Sequence, residues 1–263
     1  MLTVSRNYTP ARAKGLRELR ERLQKMAGEE AGLQHFKWLK ELYYARIPSD
    51  YWGLELDALK TDGDSLALTE EYIGHLSNAV TQGLGIAYMG STGVGKTSLM
   101  CEVGKAACFL GIPTVYLTLA GYITAERERD TDPEAQDLWN QVYSSRVILL
   151  DEVDKVYIKA GSNWVGKQFI DMLKLVTTNG RALLMAMNID HAELSQTFGD
   201  AVASAIERKL KIQTVQGDDY STTLQQSWKD RLKQGPELTL TPAMLRRSIQ
   251  FEQDNDERLG GAL

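Results

Sequence analysis

The sequence predicts an α/β protein in which a parallel five-stranded sheet lies between helices, with a small helical module at the N-terminus. Three observations predict this class. Short apolar runs alternate with longer stretches of helical periodicity, which is the pattern of βα units. The run at 147–150 is apolar throughout, as in a strand buried on both faces of a parallel sheet. The run at 86–89 leads directly into a glycine-rich loop and then into a helix.

The N-terminal module is expected at residues 1–47, as two amphipathic helices. The first begins where Thr9 can cap it and Pro10 takes the first helical position. The second spans about 29–46 and must end before Pro48. The module either packs on the main domain or docks a protein partner. We favour docking, because the helices carry apolar stripes and no catalytic motif.

The remainder divides into a linker at 48–68, a main domain at 69–220 and a C-terminal tail at 221–263. The linker is irregular and ends in a cluster of polar turn residues. Periodicity and breakers predict helices at 69–82, 96–110, 120–129, 133–143, 165–178 and 200–211, and strands at 86–89, 114–117, 147–150, 182–187 and 212–215.

The composition is that of a globular chain of 263 residues with a net charge of −5. No apolar run approaches the roughly 18 residues that cross a bilayer, and no apolar signal segment is visible. The two cysteines, Cys101 and Cys108, lie about 10 Å apart along one expected helix, too far for a disulfide. We therefore expect a cytoplasmic protein without membrane contact.

Charge is distributed unevenly along the chain. Residues 1–47 carry ten Lys or Arg against five Asp or Glu, so this arm has a charge of +5 and the remainder −10. A basic arm on an acidic body suits an acidic partner or nucleic acid. A solvated helix face explains it equally well, because Glu18 and Arg22, like Glu21 and Lys25, are spaced as i,i+4 ion pairs.

The glycine-rich loop is the most specific motif in the chain. Residues 90–97 match G-x-x-x-x-G-K-T between an expected strand and an expected helix, as a phosphate-binding loop requires. The glycines let backbone N–H groups turn toward a phosphate, and the helix N-terminus favours the same anion. The predicted cofactors are ATP and Mg²⁺, with Lys96 on the outer phosphates and the Thr97 hydroxyl on the metal. The expected ATP-binding residues are Gly90, Ser91, Thr92, Gly93, Val94, Gly95, Lys96, Thr97 and Ser98.

An acidic pair follows the apolar strand at 147–150. Asp151, 54 residues after Thr97, is expected to complete the Mg²⁺ site, and Glu152 to orient the attacking water. Both fall at the carboxyl end of a parallel strand, where ligands bind in α/β sheets. Two exposed acids at a strand end are the alternative interpretation.

Two further residues are expected to act on the reaction together with Glu152. Asn188 ends the strand at 182–187, where its amide can hydrogen-bond the γ-phosphate or the attacking water; by itself it is a turn residue. A second cation for the transition state is usually an arginine from a neighbouring subunit. Arg208 is our choice, against an arginine that balances a helix dipole.

The order of these motifs resembles that of the AAA+ P-loop NTPases, and within them the DnaC/IstB group of replicative-helicase loaders and IS21-type transposition ATPases. The similarity covers about residues 46–220, and its motifs are Ile-Pro-Ser-Asp-Tyr-Trp at 47–52, the glycine-rich loop, a two-helix insertion at 120–143, Phe-Gly-Asp-Ala-Val-Ala-Ser-Ala-Ile-Glu-Arg-Lys-Leu at 198–210 and Gly-Asp-Asp-Tyr-Ser at 217–221. The resemblance implies that Arg208 acts on a neighbouring subunit, that ATP drives a homo-oligomeric ring or helical filament, and that the insertion touches DNA.

The chain departs from this group at its last motif. Members often end that motif in Ser-Tyr-Arg, where this chain has Asp219, Tyr220 and Ser221. The sequence does not decide whether Arg246 or Arg247 replaces the missing arginine.

DNA contacts are expected on two segments that mix cations with aromatic residues, as surfaces that track a nucleic-acid backbone do. The candidates are Tyr122, Arg127 and Arg129 in the insertion, with Lys155 and Lys159 after the acidic pair. Core packing explains the aromatic residue equally well.

The predicted function is that of a replicative-helicase loader that assembles on DNA, with single-stranded DNA favoured and duplex possible. The alternative is a transposition ATPase that polymerises on duplex DNA and recruits a transposase. A two-lobed helicase is excluded, because only about 110 residues follow the Asp-Glu-Val-Asp run at 151–154. A metabolic kinase is disfavoured, since no substrate lid is apparent. The sequence fixes neither the partner, nor the DNA sequence preference, nor the size of the ring.

Overall fold

Five parallel strands form the sheet at the centre of the molecule, in a computed structural model that describes residues 30–156, 163–178 and 180–217. The strands are β1 (Gly85–Met89), β2 (Thr114–Thr118), β3 (Val147–Asp151), β4 (Ala182–Met187) and β5 (Leu210–Thr214). Their order across the sheet is β2-β3-β4-β1-β5, and every neighbouring pair is parallel. The predicted α/β class and the parallel five-stranded sheet are confirmed.

Helices cover both faces of this sheet. They are α1 (Glu30–Tyr44), α2 (Gly63–Gly74), α3 (Leu76–Gln82), α4 (Lys96–Phe109), α5 (Leu119–Glu128), α6 (Pro133–Ser144), α7 (Asn163–Thr178), α8 (Leu194–Phe198) and α9 (Asp200–Lys209). Alternate residues of the strands point to opposite faces, so β1 contributes Ile86 and Tyr88 to one core and Ala87 and Met89 to the other. The first core contains residues of α1 to α4, and the second contains residues of α5 to α9.

The stretch before β1 differs from its predicted structure. In place of one helix over 69–82, α2 spans Gly63–Gly74, and α3 follows from Leu76 with His75 between them. Asp62 caps α2 by accepting a hydrogen bond of 2.8 Å from the Ser65 amide. The polar cluster expected to close the linker at 48–68 is therefore a helix start, because aspartate satisfies free N–H groups at a helix N-terminus as readily as it forms a turn.

Helix α1 packs against α4 and lies in the same core. Trp38, Leu39 and Leu42 are buried there, and the Tyr116 amide of β2 donates a hydrogen bond of 2.7 Å to the carbonyl oxygen of Ala45. The second helix of the predicted module at 1–47 thus packs on the sheet domain, which is the packing alternative. Residues 1–29, which include the first predicted helix, lie outside the described residues.

In the described ranges, none of the helices combines the length and the apolar character needed to cross a bilayer.

Candidate nucleotide-binding site

The glycine-rich loop joins β1 to α4 at the carboxyl edge of the sheet. Gly90, Gly93 and Gly95 all have positive φ angles, of 137°, 86° and 96°, which residues with a side chain rarely adopt. A Cβ atom on Gly90 would also collide with the carbonyl oxygen of Val215. The loop therefore depends on glycine for its backbone conformation and for its close contact with Val215, the residue that follows β5.

Lys96 is the first residue of α4 and is buried beneath the loop. Its Nζ donates hydrogen bonds to two loop carbonyl oxygens, that of Gly90 at 3.0 Å and that of Ser91. Burial lowers the pKa of Lys96, while the carboxylates of Asp154 and Asp151 act in the opposite direction. The ammonium group is thus held against the carbonyl oxygens of the loop, with carboxylates close enough to favour its charged form.

Asp151 meets Thr97 at the end of β3, as the sequence predicts for a shared metal site. The Thr97 hydroxyl donates to Asp151 Oδ1 at 3.2 Å, and the backbone N–H of Glu152 donates to the same oxygen at 2.8 Å. The Tyr116 hydroxyl donates to Asp151 Oδ2 at 2.7 Å. A hydroxyl and a carboxylate placed together are oxygen ligands of the kind that Mg²⁺ takes, so these residues fit the metal.

Tyrosines surround this pair of oxygen ligands. Tyr116 comes from β2, beside β3, and burial together with the charge of Asp151 raises the pKa of its hydroxyl. Burial raises the pKa of Tyr51 to about 12, and the nearby charge of Asp151 adds to the rise. Both hydroxyls therefore remain protonated near neutral pH, and Tyr116 is a permanent donor to the metal-site carboxylate.

Glu152 follows Asp151 and has a left-handed backbone, with φ of 52°. It precedes a short turn of 3₁₀ helix at Val153–Lys155. Its Oε1 lies 2.5 Å from Lys155 Nζ, in a partly exposed ion pair, and the hydrogen bond from Lys155 raises the pKa of that lysine. The carboxylate expected to orient water is thus paired with a cation.

Asn188 follows β4, next to β3 in the sheet, and its main contact is Asp154. The Asn188 backbone N–H donates to Asp154 Oδ1 at 2.8 Å, and its Nδ2 donates to Asp154 Oδ2 at 3.2 Å. Asp154 and Tyr116 are not among the functional residues that the sequence predicts. The only available signal was the Asp-Glu-Val-Asp run at 151–154, which also occurs in an unrelated class of helicases.

Arg208 lies near the amino ends of the strands, whereas the loop follows the carboxyl end of β1. It is exposed in the last turn of α9, and its Nε donates to the Ser204 carbonyl oxygen at 3.0 Å. Helix α9 leads into β5, whose first residue Leu210 pairs with Gly85 at the start of β1. A strand of five residues spans about 16 Å, so the backbone of Arg208 lies about a strand length from the loop of its own chain.

The candidate DNA contacts have intramolecular partners in the described structure. Tyr122 is buried, with 3% of its surface exposed, as the core-packing alternative expects. Arg127 pairs with Glu128 at 2.6 Å, and Arg129 pairs with Glu126 at 3.2 Å and lies 4.6 Å above the centre of the Trp139 ring. Lys155 is paired with Glu152. Lys159, Asp219 to Ser221, Arg246 and Arg247 lie outside the described residues.

The strand order, the loop and the acidic residue at the end of β3 define a P-loop NTPase of the AAA+ class. The chain belongs to the family described as IstB-like ATP binding protein, whose model matches residues 75–229. A search of curated proteins finds no match to this sequence.

Three solved structures with the same fold are compared with this chain. The DnaC helicase loader superposes with a TM-score of 0.54 and 19% identity, over 64% of this chain and 100% of that chain. DnaI superposes with a TM-score of 0.52 and 13% identity, over 66% of this chain and 93% of DnaI. The replication initiator DnaA, bound to AMPPCP and single-stranded DNA, superposes with a TM-score of 0.54 and 16% identity, over 82% of this chain and 70% of that chain. At these identities the likeness establishes the fold.

Proposed function

We propose that this protein is an ATPase that oligomerises on DNA and loads a replicative helicase. The observation that carries the proposal is the convergence of the glycine-rich loop, Thr97 and Asp151 at one edge of the sheet, with Arg208 at the other edge. Such a chain binds nucleotide by itself and receives its transition-state arginine from a neighbour. The fold is that of the DnaC helicase loader and of DnaA, which was solved with single-stranded DNA.

In this proposal the loop residues 90–98 bind the ATP phosphates through backbone N–H groups, and Lys96 exchanges its loop carbonyls for phosphate oxygens. Thr97 and Asp151 hold Mg²⁺, which when bound neutralises charge on the phosphates. Glu152 orients and polarises the attacking water after leaving Lys155. Asn188 supplies a polar contact to the phosphate or the water.

The first experiment separates binding from hydrolysis. Lys96→Ala is expected to abolish Mg²⁺-dependent ATP binding, because it removes the phosphate-facing charge. Glu152→Gln is expected to retain binding and to lose hydrolysis, since only the water-orienting carboxylate changes. Titration with a fluorescent ATP analogue and a phosphate-release assay measure the two properties. Equal loss of affinity in both variants would contradict these roles.

The second experiment tests whether Arg208 acts on a neighbouring subunit. Such an arginine is typically worth 10³–10⁵ in rate, so Arg208→Ala is expected to be almost inactive. A mixture of Arg208→Ala with Lys96→Ala protein is expected to regain activity, because the Lys96 variant lends its arginine to an intact nucleotide pocket. Lys209→Ala, its exposed neighbour in the same helical turn, is the matched control. A mixture as inactive as its parts under oligomerising conditions would exclude the role.

The family match favours a second candidate, a transposition ATPase that polymerises on duplex DNA and recruits a transposase, because its model is named for IstB. The two candidates differ in DNA form and in partner. A loader is expected to prefer single-stranded DNA and to retain a hexameric helicase in a pull-down. Preference for duplex DNA together with retention of a transposase would favour the second candidate.

A further inference from the structure

Asp154 connects two groups that the proposed hydrolysis requires. It lies two residues after Glu152, in the middle of the 3₁₀ turn Val153–Lys155. Its carboxylate accepts one hydrogen bond of 2.8 Å from the Asn188 backbone and bonds of 3.2 and 3.4 Å from Asn188 Nδ2. One side chain therefore fixes both the end of β4 and the side chain that follows it.

The chemistry of these groups determines how the Asn188 amide is oriented. An ionised carboxylate only accepts hydrogen bonds, so Asn188 must present its NH₂ group to Asp154. Its Oδ1 is then directed away from Asp154. The amide retains one acceptor oxygen and one N–H for other partners, in a fixed orientation, while one N–H is used by Asp154.

The same contact joins Asn188 to the turn that carries Glu152. The Lys155 backbone N–H donates to the Glu152 carbonyl oxygen at 3.1 Å, which closes the turn around Asp154. A displacement of this turn consequently moves Glu152 and Asn188 together. Two groups that must act on one water molecule gain from such a shared support, because misplacement of either lowers the rate steeply.

We propose that Asp154 is a positioning residue that orients the Asn188 amide and holds it in register with Glu152. This proposal rests on the proposed ATPase function. In this proposal Asp154 contacts neither the nucleotide nor the attacking water, and it acts through Asn188.

Electrostatics separates this role from a contribution to nucleotide binding. Asp154 is close enough to Lys96 to favour its charged form, so its own negative charge opposes the binding of phosphates at the same place. Removing that charge is expected to leave ATP affinity unchanged or higher. Loss of the Asn188 orientation is expected to lower kcat. A general loss of structure would lower both.

The test uses full-length protein with Asp154→Ala, Asp154→Asn, Asn188→Ala and the double variant Asp154→Ala/Asn188→Ala. Because hydrogen bonds to a charged group are lost, Asp154→Ala is expected to lower kcat by about 10- to 100-fold. Its Kd for AMPPCP is expected to rise by no more than about threefold. The double variant is expected to be no slower than Asn188→Ala alone, because both changes remove one interaction. Asp154→Asn preserves the shape of the side chain but leaves one acceptor oxygen in place of two, so it can no longer accept fully from both the backbone N–H and the side-chain NH₂ of Asn188. It is expected to lower kcat in the same direction, and it serves as the second variant where the alanine protein folds poorly.

Asp57→Ala is the matched control, since Asp57 is an exposed aspartate in the middle of another 3₁₀ turn, Leu56–Ala58. It is expected to change neither kcat nor Kd by more than about twofold, in line with surface substitutions generally. A decrease below twofold in both Asp154 variants, or effects that multiply with that of Asn188→Ala, would overturn the proposal.

A readout independent of hydrolysis keeps the proposal separate from the ATPase function. The ¹⁵N side-chain amide signal of Asn188, assigned by its loss in Asn188→Ala, is expected to shift in Asp154→Asn and not in Asp57→Ala. If the wild-type protein hydrolyses no ATP, the proposed function fails, while this signal still decides whether Asp154 holds Asn188. An unshifted signal would overturn the proposal by itself.

Discussion

At the scale of single residues, both carboxylate oxygens of Asp151 accept hydrogen bonds. Tyr116 donates to Oδ2, while Thr97 and the Glu152 backbone donate to Oδ1. Hydrogen bonds of this kind fix the orientation of a metal-ligating carboxylate before the metal binds. Tyr116 is thus the support of the expected Mg²⁺ ligand, although it lies 35 residues away in sequence.

Tyr116→Phe tests this support, because it removes the hydroxyl and preserves the ring. We expect the Mg²⁺ concentration for half-maximal hydrolysis to rise about tenfold or more, as losses of such supporting contacts do elsewhere. Nucleotide binding in EDTA is expected to stay the same. Tyr143→Phe, at an exposed tyrosine stacked on Trp139, is the control. An unchanged Mg²⁺ dependence would contradict the role of Tyr116.

Lys155→Met tests whether the ion pair with Glu152 restrains basal hydrolysis. The pair is partly exposed, and such pairs contribute less than about 1 kcal/mol, so we expect the basal rate to rise by at most about fivefold. The pKa of Lys155 is raised, so the pair is complete below the ordinary lysine pKa and is lost only as the pH rises through the raised value. The increase is therefore expected to be equal at pH 7 and pH 8.

The matched control for this lysine is Lys174→Met, because Lys174 and Asp171 form another exposed i,i+3 pair on α7. Steady-state phosphate release measures both variants. A basal rate that falls in Lys155→Met would show that the lysine assists Glu152.

At the scale of elements, α4 joins the nucleotide loop to the segment before α2. Its first residues are Lys96 and Thr97, and farther along the helix Glu102 and Lys105 form a buried ion pair of 2.6 Å. Lys105 Nζ also donates to the Leu54 carbonyl oxygen at 2.5 Å. The helix that carries two of the expected nucleotide ligands is thereby held to the backbone of Leu54, in a place where water does not compete.

Lys105→Met is expected to destabilise the protein by about 3–5 kcal/mol, because it leaves the Glu102 carboxylate buried without its partner. The double variant Glu102→Gln/Lys105→Met is expected to recover most of this loss, since no charge remains buried. Urea unfolding followed by tryptophan fluorescence measures the free energy of unfolding. A cost below about 1 kcal/mol for the single variant, the range of an exposed pair, would contradict this description of the pair.

At the scale of the whole molecule, α1 is part of the core of the sheet domain. The docking role expected for residues 1–47 therefore depends on the segment before α1. Trp38, Leu39 and Leu42 are buried with residues of α4. Removing a single large core side chain costs about 3–5 kcal/mol, against a total stability of about 5–15 kcal/mol for a typical domain.

We therefore expect deletion of residues 1–29 to leave ATP binding intact and deletion of residues 1–47 to abolish folding. Circular dichroism and ATP titration compare the two truncated proteins. If the shorter deletion also abolishes capture of the helicase, the partner-docking role lies before α1. A stable, ATP-binding protein after deletion of residues 1–47 would contradict the packing argument for α1.

The sequence by itself determined the strands, the nucleotide loop and the acidic pair at the end of β3. These features are local, because apolar runs, glycine spacing and strand-end carboxylates are encoded within a few consecutive residues. They also sufficed for the α/β class, although the start of α2 was misread since Asp62 is equally suited to a turn and to a helix cap.

Only the tertiary structure decided which residues support the site. Tyr116 and Asp154 reach their partners across neighbouring strands, and strand order and register are not written in any single stretch of the chain. The spacing of Glu102 and Lys105 would equally suit a pair on a solvated face, and only the packing of α4 shows it to be buried. Contacts between residues distant in sequence depend on how the elements are arranged, and that arrangement is set by the burial of the whole core.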